Sequence, residues 1–147
     1  MTVPLADDLK LLEEAARRAG EAALPYFRSG GSTIAKISYK EGNSPVSEAD
    51  HAANDMLEQH LRRARPSYQW ISEETVDAVE RLTATHLFVV DPIDGTRAFI
   101  AGLLHWSVSV ALVVNGAPMA GVIHAPSLGV TYAAAKGLGA YRNGESI

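Results

Sequence analysis

The chain has 147 residues, of which 47% are hydrophobic and 20% are charged, and this length and composition predict one soluble folded domain with one core. The formal net charge of −4 and the scattered basic residues argue against binding to a nucleic-acid polymer. Cysteine is absent, which excludes disulfides and metal sites built on sulfur, and without a signal-peptide pattern or ~20 consecutive apolar residues we expect a cytoplasmic protein that does not enter a membrane.

The first predicted element is an amphipathic helix from Asp7 to about Arg28. Pro25 should end or kink it near Leu24, and the glycines at 30 and 31 close the segment. Residues 32–40 are typical of a strand and residues 41–46 of a loop. The apolar face of this helix consists of Leu9, Leu12, Ala16, Ala19 and Ala23.

A second helix follows the string SPVSEAD at residues 44–50. Ser47 is its predicted N-cap, Asp50 lies three residues further in the first turn, and Pro66 ends the helix. One face carries the apolar side chains and a histidine: Ala52, Ala53, Met56, Leu57, His60 and Leu61.

Two short apolar strands come next, one ending at Ser72 and the other at Asp91. After Phe99 the chain alternates small apolar strands with turns at 115–116, 126–129, 137–139 and 143–144, which predicts an antiparallel meander. The tryptophans and the alternating apolar residues of this region are assigned to the core: Trp70, Trp106, Val108, Val110, Leu112 and Val114. The predicted fold is α+β, with two amino-terminal helices on one face of a largely antiparallel sheet.

Five acidic residues lie at the ends of apolar elements rather than on solvated faces: Asp50, Glu73, Glu74, Asp91 and Asp94. Carboxylates that converge repel one another unless a cation lies between them, and ligand sets made only of oxygen suit Mg²⁺. The pattern therefore predicts a magnesium site, although the string DPIDG at 91–95 alone is equally typical of a simple turn.

Gly95 and Thr96 follow these acids and precede RAFIAG, which can open a helix. The free N–H groups of a helix start bind anions, and a threonine hydroxyl can hold a water molecule. Acids, metal, helix start and hydroxyl together are what a phosphomonoesterase needs.

The strings SPVSEAD, WISEET and VVDPIDGTRAF, in this order, resemble the inositol monophosphatase superfamily. Its members are Mg²⁺-dependent, often lithium-inhibited phosphatases acting on inositol phosphates, nucleotide 3'-phosphates, histidinol phosphate or fructose bisphosphate. The similarity extends from the first helix to GAYRNGE at 139–145. It implies the first half of the family's αβαβα sandwich, with residues 1–147 as an amino-terminal metal- and phosphate-binding domain. Nothing matches the family's later Trp-Asp-x-Ala motif, so we expect its carboxy-terminal domain to be absent from this chain.

The resemblance also implies roles for individual residues. Glu73, Asp91 and the carbonyl of Ile93 would bind one metal ion, and Asp91 with Asp94 a second one. Thr96 and Glu73 would position the attacking water.

Five further roles complete the implied site. Asp50 would polarise the Thr96 hydroxyl, and the N–H groups of Gly95 and Thr96 would hold the phosphate. Glu74 would support the ligands without binding metal. Lys40 is either the family's lysine near the metals or a solvated surface lysine. Arg97 points either toward a second phosphate or into solvent.

The implied function is hydrolysis of a small phosphorylated metabolite by two-metal activation of water, with Mg²⁺ as cofactor and Li⁺ as inhibitor. Arg97 favours a 3'(2'),5'-bisphosphate nucleotide. Inositol monophosphate and histidinol phosphate remain alternative substrates, a noncatalytic metal-binding or interaction domain remains the alternative function, and a homodimer remains open.

Overall fold

Two long helices pack on one face of a seven-stranded sheet in the computed structural model, which describes residues 3–74 and 83–147. Helix α1 (Leu5–Ala23) lies across the later strands and helix α2 (Glu48–Ala64) across the first ones, while the short helix α3 (Thr96–Ile100) follows the second strand of the sheet. None of the described helices is both long and apolar enough to cross a membrane.

The sheet places its strands in chain order. These are β3 (Gln69–Ser72), β4 (His86–Asp94), β5 (Ser107–Val114), β6 (Ala117–Ala125), β7 (Val130–Ala135), β8 (Gly139–Arg142) and β9 (Glu145–Ser146). Strands β3 and β4 are parallel, and every other neighbouring pair is antiparallel. The predicted α+β class with a largely antiparallel sheet and a terminal meander is therefore confirmed.

Helix α1 begins two residues before the predicted start and ends before Pro25, in a 3₁₀ turn over Leu24–Tyr26. All five residues predicted for its apolar face are buried, and so is Asp8 in the first turn. A buried carboxylate requires partners. Asp8 accepts hydrogen bonds from Arg65 Nε at 2.8 Å and from the Tyr68 hydroxyl at 2.9 Å.

The strand prediction for residues 32–40 is largely wrong. Only Ile37–Tyr39 forms a strand, β1, and it pairs with β2 (Pro45–Ser47), which lies partly inside the predicted loop. The preceding residues are instead hydrogen-bonded to the end of α3. Thr33 N donates a hydrogen bond to the Ile100 carbonyl, and Gly30 N donates one to the Gly102 carbonyl.

Gly102 allows this close approach between the segment and the end of α3. Its φ is +77°, and a Cβ built on it would collide with backbone atoms of Arg28 and Gly31. Because these bonds join residues about 70 positions apart, local sequence patterns do not predict them.

Helix α2 confirms the predicted cap and revises the predicted face. Ser47 and Asp50 form a capping box, in which each side chain bonds the other residue's backbone N–H. Ala52, Met56 and His60 are only partly buried. The buried face is Ala49, Asp50, Ala53, Asn54, Leu57 and Leu61, so it is rotated toward the polar side chains Asp50 and Asn54.

Strands β5, β6 and β7 bury one side against α1. The core assignment is confirmed for Trp70, Trp106, Val108, Val110 and Leu112, while Val114 is partly buried. The opposite face includes a row in register across four strands, Asp91, Ser109, Ile123 and Tyr132. Asp91 therefore lies on the face away from α1 and α2, where alternation along β4 places it.

Candidate active site

The carboxyl ends of β3 and β4 lie at the same edge of the sheet because the two strands are parallel. A cavity of about 280 Å³ opens there. Its wall contains nearly all the residues implicated by the sequence, namely Lys40, Glu73, Glu74, Asp91, Ile93, Asp94, Gly95, Thr96 and Arg97, with Ser44 and Pro45 added from the loop before α2.

Asp50 lies behind this wall and is almost fully buried. Its Oδ2 accepts hydrogen bonds from the backbone N–H of Ser47 at 2.9 Å and from the Ser47 hydroxyl at 2.7 Å. Its Oδ1 accepts a hydrogen bond from the Thr96 hydroxyl at 2.9 Å. The same carboxylate thus caps α2 and accepts a hydrogen bond from the Thr96 hydroxyl. The Thr96 oxygen is then free to accept a hydrogen bond from a water molecule.

Asp91 is the most perturbed acid of the cavity. Burial, a hydrogen bond to Glu73 and the negative charges of Glu73, Asp94 and Asp50 raise its pKa to about 7. Its Oδ1 is buried without a hydrogen-bond partner. A buried oxygen with no donor and with acidic neighbours is a place where a cation would relieve both the desolvation and the repulsion.

The acids share the cavity wall but do not form a ready-made cluster. Among residues 3–74 and 83–147, no three acidic or histidine side chains come close enough together to hold a metal ion. Glu73 and Asp94 are largely exposed to solvent, and Asp91 is half-buried between them. Binding of a cation would therefore require small movements of these side chains.

The turn from β4 into α3 supplies another side of the cavity. Gly95 has a φ of +91°, and a Cβ on it would lie 3.2 Å from the His105 carbonyl oxygen, so a glycine suits this position. The Thr96 hydroxyl also lies 3.2 Å from the Ile93 carbonyl oxygen. The first N–H groups of α3 have no acceptor within the helix and are available to an anion.

Lys40 and Glu74 form an ion pair of 3.1 Å at the rim. Burial lowers the pKa of Lys40, but the hydrogen bond to Glu74 and the charges of Glu74, Glu73 and Asp50 more than offset it and raise that pKa. Lys40 therefore lies beside the acids of the cavity, with its side chain paired to Glu74.

Arg97 is exposed and donates one hydrogen bond, of 3.1 Å, to the Asn43 carbonyl. Within the described part of the chain no carboxylate forms an ion pair with Arg97. Its guanidinium therefore keeps further N–H donors for a ligand.

Two residues near the site were missed by the sequence analysis. Asn54 on α2 and Ser72 at the end of β3 are buried and hydrogen-bonded to each other. Asn54 lies one turn after Asp50 and outside the apolar face that the sequence predicts for α2, so the hydrophobic pattern contains no signal for it.

Comparison with known proteins gives one family. Residues 5–147 match the model of the inositol monophosphatase family. The histidinol-phosphatase of Chlorobaculum parvum is 36% identical over 140 residues, which cover 95% of this chain and 52% of that protein. The 3'(2'),5'-bisphosphate nucleotidase CysQ of Aggregatibacter actinomycetemcomitans is 38% identical over 132 residues, which cover 88% of this chain and 48% of that protein.

A solved structure agrees with these sequence matches. The extragenic suppressor protein suhB of Bartonella henselae superimposes with a TM-score of 0.86 at 31% identity, covering 95% of this chain and 53% of that one. The chain thus spans about half the length of the relatives it matches.

Proposed function

Because the chain belongs to the inositol monophosphatase family, we propose that it forms the metal- and phosphate-binding part of a magnesium-dependent phosphomonoesterase. The observation that carries the proposal is one cavity lined by Glu73, Asp91, Asp94 and Thr96, with Asp50 hydrogen-bonded to the threonine from behind. Residues 1–147 would then be the amino-terminal domain of that enzyme.

The donors present fit Mg²⁺. They are all oxygens, and Asp91 Oδ1 is buried without a partner at the centre of the acidic group. Glu73, Asp91 and the Ile93 carbonyl would hold one ion, and Asp91 with Asp94 would hold the other. When bound, Mg²⁺ lowers the pKa of water and offsets negative charge on the phosphate.

The residues of the chain orient the attacking water. The Thr96 hydroxyl donates a hydrogen bond of 2.9 Å to Asp50, so the Thr96 oxygen accepts a hydrogen bond from the water. Glu73, which also lines the cavity, accepts the second hydrogen bond of the water. Because it is a carboxylate, it can take up the proton that the water loses during attack. The N–H groups of Gly95 and Thr96 donate to the phosphate oxygens.

The substrate that we favour is a 3'(2'),5'-bisphosphate nucleotide. Arg97 lies at the cavity rim, and its guanidinium, held by a single bond to Asn43, can pair with a second phosphate. The relative CysQ is named for this substrate. Inositol monophosphate and histidinol phosphate, each with one phosphate, are the alternatives, the latter named in a relative of similar identity.

A panel of phosphate-release assays tests the proposal. The 147-residue chain, and beside it a longer protein that contains this chain, are assayed with Mg²⁺ on the three substrates. We expect the highest kcat/KM for the bisphosphate nucleotide, and a selective loss on this substrate of about 10-fold or more in Arg97→Ala. A higher kcat/KM for either monophosphate would contradict the substrate, and a uniform effect of Arg97→Ala would remove its rationale.

A noncatalytic metal-binding or interaction domain is the second candidate. The face of the sheet away from the helices exposes Ile123 and Tyr132 and contains an apolar cavity of about 300 Å³. Mg²⁺ binding without phosphate release from any of the substrates, by the short and the longer protein alike, would favour this function over the enzymatic one.

A further inference from the structure

A buried polar chain connects α2 to the turn that carries Glu73 and Glu74. The Ser72 hydroxyl donates a hydrogen bond to Asn54 Oδ1 and accepts one from the Glu74 N–H at 3.1 Å. Asn54 and Ser72 are each 4% exposed. Since neither side chain reaches the solvent, the Glu74 N–H is held by buried hydrogen bonds that run from Asn54 through Ser72.

Within this chain of hydrogen bonds, Asn54 occupies a buried position of α2 where an apolar side chain could pack. The neighbouring buried residues on α2 include Ala53 and Leu57, and a buried amide is tolerated only when it is hydrogen-bonded. Among the described residues, a backbone bond of 3.3 Å from Glu73 N to the Val90 carbonyl joins this turn to β4. The Ser72 hydroxyl, which accepts the hydrogen bond from the Glu74 N–H, supplies a further tether of this turn.

Helix α2 therefore holds both sides of the cavity. Asp50 and Asn54 are four residues apart, which places them one above the other on the same helix face. Asp50 bonds Thr96 on the side of α3, and Asn54 bonds Ser72 on the side of the glutamates. The rigid helix thereby sets the separation between Thr96 and Glu73.

We propose that Asn54 and Ser72 are positioning residues, which fix the direction in which Glu73 enters the cavity and so determine the affinity for Mg²⁺. This inference rests on the proposed function, because it assigns Glu73 to the metal. Neither Asn54 nor Ser72 lines the cavity of Glu73, Asp94 and Thr96, and in this proposal both act through the backbone of the turn.

Isothermal titration calorimetry with Mg²⁺ tests the inference on the 147-residue chain. The variants are Ser72→Ala, which removes only the hydroxyl, Asn54→Leu, which keeps the side-chain size, and the double variant. We expect each single change to weaken Mg²⁺ binding about 10-fold, as is typical for partners of ligand residues. The double variant should be little weaker than the singles, because both changes break the same chain.

Thr131→Val is the matched control. Thr131 is a buried hydroxyl that bonds His124 at 2.7 Å and lies on β7, away from the cavity. Loss of this buried hydrogen bond should lower the melting temperature, while the affinity for Mg²⁺ stays at the parental value. Should Asn54→Leu not fold, the comparison of Ser72→Ala with Thr131→Val remains decisive.

The outcomes separate the two proposals. If the parent chain binds no Mg²⁺, the proposed metal site fails, and the positioning inference fails with it. If the parent binds Mg²⁺ and Ser72→Ala binds it equally well, with only a lower melting temperature, the positioning inference alone is overturned. An equal loss of affinity in Thr131→Val would also overturn it, since the effect would then follow stability rather than position.

Discussion

Asp50 shows how one side chain can serve folding and chemistry together. Two of its hydrogen bonds cap α2 through Ser47, and the third orients the Thr96 hydroxyl. A loss of Asp50 would therefore change stability and activity at once and could not distinguish between them. Substitutions at its two partners separate these roles, because each partner contacts a different oxygen of the carboxylate.

Thr96→Val should reduce phosphate release by about 10²-fold or more, and it should lower the free energy of unfolding by about 1–3 kcal/mol because the buried Asp50 Oδ1 loses its donor. Valine keeps the shape of threonine but has no oxygen to accept a hydrogen bond from the attacking water. Ser47→Ala is the matched variant, which should lower the free energy of unfolding by about 1 kcal/mol and leave the Thr96 contact in place. Measurement of kcat and of urea unfolding on both variants checks this. A Thr96→Val protein with parental kcat would contradict the role of the hydroxyl.

At the scale of elements, a buried ion pair joins the start of α1 to the connection between α2 and β3. Asp8, 3% exposed, accepts from Arg65 just after α2 and from Tyr68 just before β3. This cluster fixes where β3 begins, and β3 ends at the turn that carries Glu73. Acids in a first helical turn ordinarily stabilise the helix from the solvent, so the burial of Asp8 could not be predicted from its position in the sequence.

Asp8→Ala should lower the free energy of unfolding by about 3–5 kcal/mol, because Arg65 would lose its partner in a largely buried place. Glu14→Ala, which breaks the exposed pair of α1 with Arg18, should cost about 1 kcal/mol or less. Urea unfolding of the two variants checks the difference.

Spectrophotometric titration of Tyr68 gives an independent readout of the same cluster. Burial and the hydrogen bond to Asp8 raise the pKa of this tyrosine, and Asp8→Ala should bring the pKa down. Equal stability losses in the two variants, with an unchanged titration, would show that the cluster does not hold these elements together.

Local signals predicted the elements whose contacts are local. The cap at Ser47 and Asp50 and the turns of the meander depend on neighbours in the chain, and the structure confirms them. The strand predicted for 32–40 failed because Thr33 and Gly30 bond the end of α3, and Asn54 was missed because its partner lies 18 residues away. Patterns of hydrophobicity do not contain such distant partners.

At the scale of the molecule, the parallel pair β3 and β4 explains why the acids share one edge. The sequence could predict that two apolar runs end in acids, with Glu73 after one and Asp91 at the end of the other, but not that the two strands are parallel neighbours. It could not predict that Asp91 would lie half-buried, with a partnerless oxygen, on the face away from the helices. That environment arises from the packing of the whole sheet and links the site to the stability of the protein.

The link between the ionisation of Asp91 and the free energy of unfolding has a definite sign. Without metal, the pKa of Asp91 is about 7 in the folded state and 3.8 in the reference state, so between these values only the folded protein keeps the proton. The contribution of Asp91 to the free energy of unfolding is then fully present below pH 4 and is lost as the pH rises through 7. In the proposed function Mg²⁺ would bind the ionised carboxylate, and its contribution would have the opposite trend, since the affinity for the ion grows as the proton leaves.

Melting temperatures measured between pH 5 and 9, with and without Mg²⁺, should therefore diverge as the pH rises. The gain from Mg²⁺ should be small near pH 5 and largest above pH 7, because a ligand that binds only the folded state stabilises it by mass action. Asp91→Asn should abolish the gain at every pH and, without metal, remove the loss of stability that accompanies ionisation. Asp55→Asn, at an exposed position of α2, should behave as the parent. Titrations common to all variants cancel in this comparison, so a gain from Mg²⁺ that survives in Asp91→Asn would place the ion elsewhere.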